Sequence, residues 1–122
     1  MTQTELLELS HKWEDLYNSD AVKMALECYA ENCVVRPMGG GTLRGNEKLA
    51  ALERAIIEAA PRRYMRVAER HVAGDTVIVE AVLRDHDKGD KWQIPFIAVM
   101  TCKDGRVVED RTYADWREWP GL

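Results

Sequence analysis

Leu6, Leu9, Trp13 and Leu16 recur at three- and four-residue spacing, with Glu5, Glu8, Lys12 and Glu14 on other faces. That period predicts an amphipathic helix over residues 4–17. Asn18 and Ser19 interrupt it, and Ser19 is a plausible cap for a second helix that carries Val22, Ala25, Leu26 and Tyr29 inward and ends at Ala30-Glu31-Asn32. Cys33 to Arg36 is a short β-like run stopped by Pro37. Gly39-Gly40-Gly41 then reads as a turn leading to Thr42-Leu43-Arg44-Gly45. Asn46 can cap a third helix with Leu49, Leu52, Ile56 and Ala60 along one side, stopped by Pro61.

After Pro61 the period changes to that of strands. Tyr64 to Val72 is one strand, and Thr76 to Asp85 is nearly continuously apolar, as expected where both faces are covered. Trp92 to Thr101 contains Pro95, which suggests a bulge or an edge position. Arg106 to Ala114 closes the sheet after a Lys103-Asp104-Gly105 turn. The expectation is an α+β fold in one domain over residues 1–122, with three N-terminal helices packed on a curved, mostly antiparallel sheet. Such a sheet against helices encloses a cone, and the interior of a cone is a natural small-molecule site. The two-sided apolar strand also suggests a homodimer partner.

A length of 122 residues fits one modest core, and 46 % hydrophobic content is ordinary globular composition. The net charge of −4 gives no electrostatic reason to expect nucleic acid or an anionic membrane as partner. Arg62, Arg63, Arg66 and Arg70 read as a solvated strand face. Cys28, Cys33 and Cys102 form no CxxC pair, and His11, His71 and His86 stand far apart, so no metal or cofactor is expected. Free thiols point to a reducing cytoplasm, and no apolar run suits a leader or a membrane span. The glycine triplet lacks both the Walker ending and the dinucleotide fingerprint.

The polar residue that asks for an explanation is Asp110, set among hydrophobic residues on the last strand. Alternation puts Val108, Asp110, Thr112 and Ala114 on one face, and Val107, Glu109, Arg111, Tyr113 and Asp115 on the other. A buried carboxylate is costly. In a dry pocket its pKa rises, and it can serve as a general acid or base near neutral pH. It can equally be a structural carboxylate, paired with Arg36. Arg36, if inward, pairs with Asp110 or holds a substrate carboxylate or enolate; outward, it is solvated. Asp85 shares the inward parity of Val79, Ala81 and Leu83, at the cavity mouth or at the start of a polar loop. Glu80 is expected to pair with Arg66 or Arg111. Trp13, Tyr29, Trp92, Phe96 and Tyr113 are core or ligand cage. Trp116 and Trp119 cap the mouth, cover the helices or contact a partner.

The layout resembles the cone-shaped NTF2-like (cystatin-like) superfamily, and within it the SnoaL-like group of polyketide cyclases, ketosteroid isomerases and limonene epoxide hydrolases. The matching features run almost the whole chain. They are Trp13 with Leu16-Tyr17-Asn18-Ser19-Asp20, Cys28 to Val35, Leu43-Arg44-Gly45, and Gly105-Arg106-Val107-Val108 running to Arg111-Thr112-Tyr113-Ala114-Asp115. The resemblance turns the Asp110 face toward the cavity and puts Trp13 where ketosteroid isomerases carry an oxyanion-stabilising tyrosine. It also shows departures. The isomerases' base aspartate falls in the Val35-Arg36-Pro37 region, and their second oxyanion donor falls at Ile97. The epoxide hydrolases' Arg-x-Asp pair falls at Ala81 and Leu83, their last-strand aspartate at Thr112, and their tyrosine and asparagine at Val35 and Pro37. For the aspartate and histidine of polyketide cyclases the nearest groups are Asp110 and His86.

Two functional classes follow. The first is a cofactor-independent enzyme performing isomerisation, cyclisation, dehydration or water addition on an apolar polyketide-, terpenoid- or steroid-like molecule. Asp110, Arg36 and Trp13 are then the catalytic candidates, with Tyr29, Asp85, Phe96, Thr112 and Trp116 binding substrate. The second is a non-catalytic ligand-binding or oligomerisation module.

Overall fold

The computed structural model describes residues 1–122. Helix α1 (Gln3–Ser19) starts at a capping box: the Thr2 side chain accepts from the Glu5 N–H, and the Glu5 carboxylate accepts from the Thr2 N–H. Its periodic residues Leu6, Leu9 and Trp13 are buried, as is Tyr17. Helix α2 (Ala21–Cys28) follows at once, capped by Asp20, which accepts from the Lys23 N–H; Ser19 is still inside α1. Strand β1 (Tyr29–Pro37) comes next, then β2 (Leu43–Arg44), α3 (Asn46–Ala59), β3 (Arg63–Ala73), β4 (Thr76–Asp85), β5 (Ile94–Lys103) and β6 (Arg106–Ala114).

The six strands form one open, mixed sheet in the order β2-β1-β6-β5-β4-β3. Strand β1 runs parallel to β6, and the other neighbouring pairs are antiparallel. The expected architecture is corrected in two respects. The sheet is open and mixed, with β2 and β3 as free edges, and does not close into a curved cone. The third helix is not N-terminal, since it lies between β2 and β3. The parallel pair follows from the route of the chain. A helix and four strands separate β1 from β6, enough to bring β6 back alongside in the same direction.

Local expectations differ from the fold at four places. Tyr29 opens β1 instead of closing α2, with Val107 of β6 as its neighbour. Asn46 is the first residue of α3, not its cap; Gly45 caps the helix at φ +94°, a conformation that favours glycine. The Asn46 amide instead donates to the Tyr29 carbonyl at 3.3 Å, tying α3 to β1. Pro95 sits on a central strand without a register shift against β4. It is tolerated because pairing with β6 starts only at Phe96, leaving Pro95 a neighbour, Val82, on one side alone. The register of β5 against β6 shifts between Thr101 and Cys102. Val107 is therefore fully buried on the Asp110 face, and the extra residue Val108 is only half-buried.

The helices cover one face of the sheet. Between the layers lies a core that includes Leu6, Met24, Val77, Val79, Leu83, Ala98, Met100 and Val107. Arg63 is buried there and Arg70 is half-buried, paired with Glu14 of α1, so of the arginine run only Arg62 and Arg66 are solvated. On the far side of the sheet Ile97 and Tyr113 are 40 % and 46 % exposed. No helix is long and apolar enough to cross a membrane. Leu83→Ala, at a fully buried core position, is expected to lower stability by ~2–5 kcal/mol, measured by urea unfolding. Val82→Ala, one residue along and facing away from the helices, should cost much less.

Candidate functional site

Asp110 is 4 % exposed, and its carboxylate is held from two sides. The Tyr29 hydroxyl donates to Oδ2 at 2.6 Å, and the Thr112 hydroxyl donates to Oδ1 at 2.6 Å. The Trp13 indole N–H donates in turn to the Tyr29 oxygen at 3.1 Å. The parallel β1–β6 pair makes this possible by placing the strand that begins with Tyr29 beside the strand carrying Asp110. Burial raises the Asp110 pKa, opposed by the hydrogen bonds from Thr112 and Tyr29 and by the Arg111 charge. The Tyr29 hydroxyl is pushed well above its ordinary range, by burial first and then by the adjacent Asp110.

Asp110 faces a cavity of about 110 Å³ between the sheet, α3 and the C-terminal segment. Val35, Leu49, Ile56, Met65 and Phe96 make its apolar walls, with Trp116, Trp119 and Leu122 on the C-terminal side. Trp119 packs edge-on against Phe96 with ring centroids 5.4 Å apart, and the Trp116 N–H donates to the Met38 carbonyl at 3.0 Å. Gly121 lies flat on α3, where an added Cβ would meet the Ile56 Cα at 2.9 Å. A larger depression of about 670 Å³ lies at the surface, lined by Glu31, Glu47, Lys103, Asp104 and Arg106 among others. It is open and ionic, and contains no buried carboxylate.

Of the residues singled out in the sequence, Asp110, Tyr29, Thr112, Phe96 and Trp116 line the cavity together. Trp13 stands behind Tyr29 and reaches the cavity only through it. Arg36 is not brought in; it is exposed on β1 and pairs with Glu109 at 3.5 Å. Asp85 is buried at the far end of β4, where it accepts from the Asp87 N–H at 2.8 Å, and it does not line the cavity. His86 is exposed and stacks on Tyr64 at 4.4 Å. Glu80 pairs with His71 rather than with an arginine. No group of three His, Cys, Asp or Glu side chains is arranged to hold a metal.

A second carboxyl group in the cavity was not singled out. Glu53 of α3 is 7 % exposed and lines the same space. It falls four residues after Leu49 and three before Ile56, within the apolar stripe of the helix, and that spacing was the available signal. Burial raises its pKa to about 7, with Arg63 pulling down and Asp110 pushing up. Its Oε2 has no hydrogen-bond partner, nor do the Tyr17 hydroxyl and the Arg63 Nε nearby.

Residues 11–110 match the family model of the SnoaL-like domain. The chain belongs to the SnoaL-like family. Its fold is the NTF2-like one of several solved structures. A protein from Jannaschia sp. CCS1, proposed to be a SnoaL-like polyketide cyclase, is 21 % identical with TM-score 0.80, over 93 % of this chain and 88 % of that one. A loop truncation variant of IdmH is 20 % identical with TM-score 0.81, over 93 % and 95 %. An LEH-like epoxide hydrolase of M. tuberculosis is 18 % identical with TM-score 0.74, over 95 % and 86 %. At these identities the likeness concerns the fold. Among curated proteins none matches the chain.

The raised Glu53 pKa has a stability consequence. Its folded value of about 7 exceeds the ordinary 4.5, so between those pH values the native state holds a proton that the unfolded state has lost. Stability therefore falls as pH rises through that window, by at most about 1.4 kcal/mol per pH unit from this group. The raised Asp110 adds in the same direction. Glu53→Gln should flatten the decline, measured by urea unfolding from pH 4.5 to 8.

Proposed function

We propose that the protein is a cofactor-independent enzyme that moves a proton within a small, apolar, oxygen-bearing substrate bound between the sheet and α3. The observation carrying this reading is Asp110, a buried carboxylate facing an apolar cavity and held in place by Tyr29 and Thr112. The family supports it at a coarser level. Two of the structures similar in fold are described as an LEH-like epoxide hydrolase and as a proposed SnoaL-like polyketide cyclase.

In this reading Asp110 is the base. Its two hydrogen-bond donors stabilise the anion and fix its orientation, while burial makes it more basic than a solvated aspartate. Asp110 takes a proton from a carbon or an attacking hydroxyl and returns it elsewhere on the product, giving isomerisation, cyclisation, dehydration or water addition. Trp13 is a positioning residue: its N–H holds the Tyr29 oxygen so that the Tyr29 proton points at Asp110. Phe96 and Trp116 supply apolar contact. The volume of about 110 Å³ is below the roughly 300–1,000 Å³ of pockets for drug-sized ligands. A compact ring therefore fits the cavity as it stands, and a polyketide- or steroid-sized molecule requires the C-terminal segment to move.

The test is exchange of α-protons of compact ketones in D₂O, followed by NMR. The protein is expected to accelerate exchange, and Asp110→Asn to reduce the acceleration by about 10²-fold or more. Full acceleration in the variant, or none in the wild type, would remove Asp110 from this role.

We also propose a homodimer through the outer face of the sheet. Val82, Pro95, Ile97 and Tyr113 line an apolar depression of about 340 Å³ there. Glu109 and Glu80 share that face with Arg111, so a two-fold rotation can set opposite charges against each other. Ile97→Asp should convert a dimer to a monomer in light scattering, and a wild-type monomer at micromolar concentration would overturn the proposal.

A further inference from the structure

The proposed base requires a partner. When a proton leaves carbon next to a carbonyl, negative charge grows on the carbonyl oxygen, and a donor placed there lowers the barrier. The donors expected from the sequence are committed elsewhere. The Trp13 N–H is spent on Tyr29, the Tyr29 O–H on Asp110, and Arg36 lies outside the cavity on Glu109. The Thr112 hydroxyl is spent on Asp110 as well. Among the side chains lining the cavity, Glu53 alone combines near-complete burial with a polar atom that has no partner.

We infer that Glu53 is a second catalytic group, a neutral carboxylic acid that donates its proton in a hydrogen bond to a carbonyl oxygen of the substrate. This rests on the reading of Asp110 as base and names the substrate class. The substrate is an uncharged, compact, apolar molecule whose enolisable carbon and carbonyl oxygen reach Asp110 and Glu53 respectively. Molecules carrying a carboxylate are excluded, because no cationic side chain lines the cavity and its two carboxyl groups, Asp110 and Glu53, are acids.

The surroundings of Glu53 suit a neutral acid. Tyr17 of α1, Arg63 of β3, Asp110 of β6 and Tyr29 of β1 are the titratable or charged groups coupled to it. Arg63 would stabilise the anion, yet its guanidinium lies over the Tyr17 ring, 4.8 Å from the centroid, and donates to the Tyr17 carbonyl at 3.5 Å. Its Nε has no partner, and no hydrogen bond ties Arg63 to Glu53. Burial and the nearby Asp110 both favour the protonated form, and Glu53 lines the cavity with its buried Oε2 unpartnered, so no hydrogen bond inside the protein ties that oxygen down. The proton-rich side is thus the α3 wall, and the proton-accepting side is β6.

The test is an equilibrium one, independent of turnover. Binding of cyclohexanone, and of methylenecyclohexane as the hydrocarbon of the same shape, is measured by NMR from pH 5.5 to 8.5. Cyclohexanone should bind tightly up to about pH 7 and then weaken up to tenfold per pH unit as Glu53 ionises, while the hydrocarbon shows no such loss. Glu53→Gln, which keeps an N–H donor, should bind cyclohexanone without pH dependence. Asp110→Asn should keep the dependence with its midpoint moved down, because Asp110 pushes Glu53 up. In the wild-type protein, carbon-detected titration of the Glu53 carboxyl should move to higher pH when cyclohexanone is bound, a readout that needs no variant to fold. A pH-independent affinity in wild type, an unchanged pH profile in Glu53→Gln, an unmoved Glu53 titration or no cyclohexanone binding would each overturn the role of Glu53. Asp110→Asn abolishing exchange while these results fail would leave the base and remove only its partner.

Discussion

Burying the Asp110 carboxylate is the constraint around which the site is organised. A lone anion in this core would be costly, and the chain meets that cost with two short hydrogen bonds, from Tyr29 and Thr112. Each donor ties down a different part of the fold. Thr112 fixes the carboxylate within its own strand. Tyr29 fixes it to β1 and, through Trp13, to α1. The same residue joins α3, since the Asn46 amide donates to the Tyr29 carbonyl. One side chain and its backbone thus link a central strand pair to two helices at the point where the cavity begins.

The two cavity carboxyls have opposite environments. Asp110 accepts two hydrogen bonds and lies near Arg111. Glu53 has an unpartnered oxygen and only the partial attention of Arg63. Both are buried, so the contrast between them comes from hydrogen bonding more than from solvent. Two like acids separated in this way can hold one proton between them with a defined owner, the condition for acid and base roles in one small space.

Much of this was legible in the chain. The positions of α1, α3, β4 and β6 follow from period, the family from the resemblance of the motifs spread along the chain, and the burial of Asp110 from its place among apolar residues. What failed, failed for physical reasons. Val22, Ala25, Leu26 and Tyr29 fit a helical period, but pairing with β6 draws Tyr29 into a strand, an override that no local pattern records. Strict alternation along β6 puts Val107 outside, whereas the bulge at Val108 turns it inward. The sheet is mostly antiparallel as expected, but its one parallel pair, β1–β6, is a long-range contact that turn signals do not encode. Arg36 could face either way by pattern, and Glu109 on the neighbouring strand draws it outward. Glu53 was visible as a charge interrupting the Leu49–Ile56 stripe, a signal of the same kind as Asp110 and weaker only because helices carry many glutamates.

The Tyr29–Asp110 bond spans 81 residues of chain. The hydrogen bond that orders the site is thus among the most non-local contacts in the molecule, and closing so long a loop carries an entropic cost before any contact repays it. Helices α1 and α2 and the β3–β4 hairpin can form from neighbours, but the cavity waits for the last strand to dock beside the first. During refolding the cavity should therefore assemble late, with the chain already largely collapsed before β6 pairs with β1.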